Sequence, residues 1–180
     1  MTDTRPSTAA DTTEYTTLGA HPALADHLRR IHPEEGMLLG GRMIAASDGG
    51  TFDVVDPASN AVFARCADAT PADAARAVDA ASEALPAWSA TPPRQRAELL
   101  RTLFSLMVER ADELAVLISA ENGKALDDAR AEVLYAAEFF RWFAEEAVRT
   151  EGGFGCSPAG GTRTIVTHRP IGVGAMITPW

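Results

Sequence analysis

The chain has 180 residues, 46% hydrophobic and 23% charged, which is enough for one domain-sized core with a polar tail. Its formal net charge is −9, and its 16 Lys and Arg are scattered among acids, which excludes the basic patch that a nucleic-acid partner demands. No apolar run approaches the roughly 18 residues of a membrane span, the start lacks a secretory pattern, and two distant cysteines make no disulfide framework, so a soluble cytoplasmic protein with no membrane partner is predicted.

Residues 1–20 are rich in Thr, Ala, Ser and Asp and poor in large apolar side chains. They cannot offset the entropy of ordering and are predicted to be a disordered tail. Residues 21–36 read as a linker or short helix, with Leu24, Leu28 and Ile31 on one face until Pro33 ends it. Over 37–69, the short β-prone runs MLL, RMIAA, TFDVV and AVFARC alternate with turn residues, which predicts a small β meander. Within it Asp48–Gly50 supplies a tight hairpin turn, and Asp56-Pro57 with Asn60 marks the next reversal.

At residue 70 the period becomes helical, and 70–150 is predicted as a helical layer. Thr70 suits an N-cap, Pro71 the first helical position, and Asp73 the first turn, where the helix dipole favours an acid. Ala74, Val78, Ala81, Leu85 and Trp88 share one stripe of the first helix. A second helix after Thr91-Pro92-Pro93 buries Ala97, Leu100, Phe104 and Met107, and a third runs from about Asp112 to Asn122 and stops at Gly123. A fourth covers roughly Leu126 to Arg149, with Val133, Ala136, Phe140, Phe143 and Ala147 facing a core and Arg130, Glu138, Arg141 and Glu145 facing water.

After a Gly- and Pro-rich loop, Arg163–His168 alternates as a half-exposed strand that can pair with residues near Phe154. Residues 170–180 hold Ile171–Ile177, almost wholly apolar between Pro170 and Pro179, as in a strand buried on both faces of a parallel sheet. The predicted class is therefore α/β. Gly172-Val173-Gly174 is not a phosphate loop, because the third glycine position holds Ile177 and the pair lies inside the strand. His21, His27 and His32 lack further ligands, and no metal is assigned.

Six segments, GGRMI, TFDVVDPASN, PADAARAVDAASEALPAWSATPPRQRAELL, ENGK, FFRWFAEEAVR and RPIGVGAMITPW, stand in an order and spacing that resembles the aldehyde dehydrogenase superfamily from about Gly40 to Trp180. Within it, WFAEEAVR resembles the succinate-semialdehyde dehydrogenase branch. The resemblance implies the N-terminal part of that fold: the β meander, the helical layer, part of an oligomerisation arm (151–169) and the first strand of a Rossmann-like cofactor domain (170–180). It further implies NAD or NADP as cofactor, a small aldehyde such as succinate semialdehyde as substrate, and a homo-oligomer built through the arm.

The chemistry implied by the resemblance is attack of a cysteine thiolate on the aldehyde carbon, with the oxyanion held by a backbone N–H and an asparagine. Hydride then leaves to the nicotinamide, and a glutamate-activated water hydrolyses the thioester. None of those three side chains matches a position here. The asparagine follows the ITPW segment in the family, so no catalytic residue is assigned and the chain alone is expected to be inactive.

Ile177, Thr178, Pro179 and Trp180 match the segment that lines the cofactor cleft, at the carboxyl end of a parallel strand. Cys66 and Cys156 lack the context of the catalytic cysteine and read as structural thiols. Glu121, Lys124 and Glu132 do not read as an acid and base set: Glu121 and Lys124 straddle Gly123, which favours a local ion pair or cap near the helix end. The alternative to an enzyme is a non-catalytic oligomerisation or interaction module derived from the same fold; the apolar segment 171–177, with no sheet in the chain to bury it, favours the enzyme.

Overall fold

In the computed structural model, which describes residues 36–178, turn chemistry produces three separate antiparallel hairpins. The first joins β1 (Met37–Leu39) to β2 (Arg42–Ile44) through Gly40-Gly41, whose φ angles of 58° and 78° make the type I′ turn that matches strand twist. The second pairs β3 (Thr51–Val55) with β4 (Val62–Ala67), and the register shifts between Val54 and Val55. Its reversal is the predicted one. Asp56 N–H donates to the Ala61 carbonyl at 2.9 Å, Asn60 takes φ 58°, and the Asp56 carboxylate accepts from the Ala58 N–H and the Ser59 hydroxyl.

The single meander is not what forms, because β2 and β3 do not pair. The Asp48–Gly50 turn has its positive φ at Gly49 (75°), but it closes on itself: Gly49 N–H returns to the Ala46 carbonyl, and Gly50 N–H donates to Asp48 Oδ1. The Gly50 carbonyl accepts from the Asp68 N–H at 2.9 Å, so the turn leads into the β3–β4 ladder and β2 stays paired with β1 alone.

Four helices follow: α1 (Pro71–Ala90), α2 (Pro93–Glu109), α3 (Ala111–Asn122) and α4 (Leu126–Glu146). Thr70 caps α1 as the sequence predicts, and Asp73, expected only as a first-turn acid, reaches back to the Thr70 N–H to complete a capping box. Helices α2 and α3 both pack on α4, and the seam is lined by small side chains, among them Ala97, Ala115, Ala129, Ala137 and Ala144. Methyl groups let the helix axes approach closely. Val133 and Ala97 are buried as predicted and Phe104 and Met107 partly so, but Phe143 is exposed, and the neighbouring Ala144 takes the inward position. The α1 stripe also stays open: Val78 and Trp88 are 55% and 48% exposed.

A second small core sits where the β3–β4 hairpin meets α3. Phe63, Val116 and Ala120 are buried there, with Val54, Ala64 and Leu117 packed around them. The third hairpin, β5 (Gly153–Cys156) with β6 (Arg163–Val166), pairs Phe154 with Ile165 as anticipated. It leaves Phe154 and Ile165 about two-thirds or more in solvent (67% and 74%).

One predicted element is missing. Ile171–Ile177 forms no strand, and Ile171 is fully exposed. A strand exists only through hydrogen bonds to a neighbour, and no parallel partner stands beside this segment among the described residues. The short helix over 21–36 and the histidines His21, His27 and His32 lie outside the described residues.

Candidate functional site

Of the four residues read as lining a cofactor cleft, the structure describes Ile177 and Thr178, and both stand in solvent. Ile177 is 98% exposed, Thr178 is exposed, and Pro179 and Trp180 lie outside the described residues. Because 171–177 makes no strand, there is no strand end at which a crevice can open.

The best-formed polar cluster lies elsewhere, at the start of α1. Asp73 is buried (1% exposed), and its Oδ2 accepts from the Ser47 N–H (3.0 Å), the Ser47 hydroxyl (3.0 Å), the Thr70 N–H (3.0 Å) and the Thr70 hydroxyl (2.9 Å). Arg76 donates to Oδ1 at 3.0 Å. The backbone N–H of Ser47, then the N–H and hydroxyl of Thr70, hold the Asp73 carboxyl far below the usual carboxylate range, overcoming the opposing effect of its burial. A carboxylate held ionised by so many donors is a poor proton acceptor, so this cluster fixes the hairpin-to-helix junction and performs no acid–base step. The sequence signalled Thr70 as a cap and Asp73 as a first-turn acid, but not Ser47, because a contact across 26 positions carries no local periodicity.

A shallow depression of about 310 Å³ opens between α2, α3 and α4, lined by Met107, Leu117, Ile118 and Val133 together with Glu121 and Glu132. Burial pushes the Glu121 carboxyl up. Lys124 Nζ donates to Glu132 Oε2, so the ion pair beside Gly123 ties the α3–α4 loop to α4. Gly123 caps α3 in the left-handed conformation as predicted (φ 78°), with its N–H on the Ser119 carbonyl at 2.8 Å.

Cys66 on β4 is half-buried and Cys156 on β5 is exposed, and the two are not joined in a disulfide. Among the described residues no group of three or more His, Cys, Asp or Glu side chains is placed to hold a metal ion, and no helix is long and apolar enough to cross a membrane.

This order of hairpins and helices matches a known family. Residues 44–180 match the aldehyde dehydrogenase family, and the chain belongs to it. It is 44% identical over 142 residues to the mitochondrial succinate-semialdehyde dehydrogenase of Hylobates lar, covering 79% of this chain and 26% of that protein. Identity is 39% to the NADP(+) succinate-semialdehyde dehydrogenase 1 of Schizosaccharomyces pombe, over 79% of this chain and 28% of that one. The fold is similar to the crystal structure of PnpE in complex with nicotinamide adenine dinucleotide (TM-score 0.67, 37% identity, 71% of this chain and 26% of that one). The chain thus spans about a quarter of the length of the relatives it matches. Its hairpins and four helices are the N-terminal part of the aldehyde dehydrogenase fold.

Proposed function

We propose that this chain is the N-terminal portion of an NAD(P)-dependent enzyme that oxidises an aldehyde, succinate semialdehyde first among candidates, to the carboxylate. The observation that carries this is the family match over residues 44–180, joined to 44% identity with a succinate-semialdehyde dehydrogenase. NAD and NADP are both compatible with the names and complexes of the similar proteins.

In this reading 37–69 and 70–150 form the scaffold of β hairpins and helices, 151–169 is part of the oligomerisation arm, and 170–180 enters the cofactor domain as its first strand. Ile177, Thr178, Pro179 and Trp180 would then line the nicotinamide cleft once that strand has neighbours. They would supply a wall for the cofactor, while the nucleophilic Cys, the Glu that activates water and the Asn that holds the oxyanion are not contributed by this chain. The exposed apolar face of the β5–β6 hairpin supports a homo-oligomer through the arm. A cytoplasmic location belongs to the same reading, on the sparse use of cysteine.

Two measurements test it. The 180-residue protein alone is expected to give no reduction of NAD+ or NADP+ with succinate semialdehyde above background, and turnover would overturn the assignment of the chemistry to residues outside it. A chimera in which residues 44–180 replace the matching segment of the Hylobates lar enzyme is expected to keep activity toward the semialdehyde. A folded but inactive chimera would count against the reading.

The exposed hairpin equally suits an interaction module that binds full-length subunits without catalysis. Co-purification of the 180-residue protein with the Hylobates lar enzyme, together with a chimera that folds but has no turnover, would favour that second reading.

A further inference from the structure

The sequence contains two asparagines, Asn60 and Asn122, and only Asn122 precedes a glycine. A backbone nitrogen whose own residue has no side chain is the least hindered nucleophile toward the amide carbon of the preceding residue's side chain. Asn122 is the last residue of α3 and is exposed. The nitrogen that would attack it belongs to Gly123, and its N–H is committed to the Ser119 carbonyl at 2.8 Å in the capping turn. Nucleophile and electrophile are adjacent, and one helix-ending hydrogen bond keeps them from reacting.

We propose that Asn122 is a self-modification site whose deamidation is gated by the C-terminal turn of α3. When that turn opens, the Gly123 nitrogen bonds to the Asn122 Cγ and loses its proton, the Cγ–Nδ2 bond breaks, and ammonia leaves. Water then opens the resulting five-membered imide at either carbonyl, which yields Asp or its backbone-shifted isomer at position 122. No oxidant or reductant takes part, and water is the sole co-reactant.

The product acts on the fold that had restrained it. A new carboxylate stands at the negative end of α3, beside Glu121, whose carboxyl is already pushed up by burial, while Lys124 is engaged with Glu132. The isomerised product also lengthens the backbone where Gly123 lies against Pro57, so close that a Cβ there would come within 3.1 Å of Pro57 Cγ. Unfolding of this turn is therefore recorded covalently, and the mark opposes re-formation of the turn.

The test follows the Asn122 and Asn60 peptides by mass spectrometry after incubation of the protein in mildly alkaline heavy-oxygen water, folded and in urea. In urea, Asn122 is expected to gain solvent oxygen and to appear as a mixture of aspartyl and isoaspartyl products, while Asn60, followed by Ala61, lags far behind. In the folded protein the same conversion should be about tenfold or more slower, because it waits on local opening. Asn122→Gln should abolish the signal and leave the helical circular dichroism unchanged. Equal rates in folded and unfolded protein would overturn the gate, and absence of conversion at Asn122 in urea would overturn the site.

Discussion

Ser47 and Asp73 stand 26 positions apart and meet twice in the fold, the backbone N–H and the hydroxyl of Ser47 both donating to Asp73 Oδ2 at 3.0 Å. The turn after the first hairpin is thereby fastened to the first turn of α1, and the carboxylate that caps the helix also anchors the loop.

That double contact predicts an acid-sensitive junction. The folded-state pKa of Asp73 is depressed, so the unfolded protein binds more protons as pH falls and stability falls with it. The contribution is fully present above the ordinary carboxylate pKa of about 3.9 and is lost as pH drops below that toward the depressed value. Urea unfolding over a pH series should show this slope, and Asp73→Asn should flatten it and lower the melting temperature by roughly 5 °C or more. An unchanged slope in the variant would show that Asp73 does not carry the effect.

Phe63 holds the β3–β4 hairpin against α3, at 2% exposure among Val116, Ala120, Val54, Ala64 and Leu117. Phe63→Ala should cost about 3–5 kcal/mol, the transfer free energy of the ring plus the cavity left behind, read as a lower urea midpoint. A loss under about 1 kcal/mol would mean that the hairpin does not rely on this cluster.

Gly123 combines a left-handed backbone with a close neighbour, Pro57 on the β3–β4 turn. Gly123→Ala should therefore cost about 1–2 kcal/mol from the backbone alone, with a further steric part from the 3.1 Å approach of its Cβ to Pro57 Cγ. Pairing it with Pro57→Ala should recover only the steric part, and full recovery in a double-mutant cycle would show that the φ angle is not the cost.

Phe154 and Ile165 face each other across β5 and β6 with most of their surface in water. Sedimentation should show self-association of the protein that weakens in the Phe154→Ser, Ile165→Thr double variant, with the far-ultraviolet spectrum retained. If both proteins sediment alike, the hairpin is not the contact surface.

Local signals in the sequence carry much of this fold. The Thr70 cap of α1, the α3 stop at Gly123 and the Asp56–Asn60 reversal are all readable, because each depends on residues within one turn of one another. The exposed positions Arg130, Glu138, Arg141 and Glu145 on α4 are readable from period alone. What fails depends on distant partners. Spacing puts Phe143 inside, but which of two adjacent residues faces the seam depends on α2 and α3, and Ala144 fits where a ring does not. The pairing of β2 with β3 fails because the chain leaving Asp48–Gly50 pairs with β4, the Gly50 carbonyl accepting from the Asp68 N–H. The segment 171–177 reads as a strand from composition, yet strand geometry needs a neighbour to accept its hydrogen bonds. The proposed cleft residues at 177–180 depend on that same absent pairing, whereas Ser47 carries no local signal because its partner is remote in sequence.

The methyl-lined seam among α2, α3 and α4 reverses the usual logic of mutational scanning. Where Ala97, Ala115, Ala129, Ala137 and Ala144 are already buried methyl groups, truncation has almost nothing left to remove, and a scan to alanine would report this buried seam as inert. Only enlargement probes it: Val or Leu at these positions would force the helices apart, so tolerance at this seam is set by an upper limit on side-chain volume.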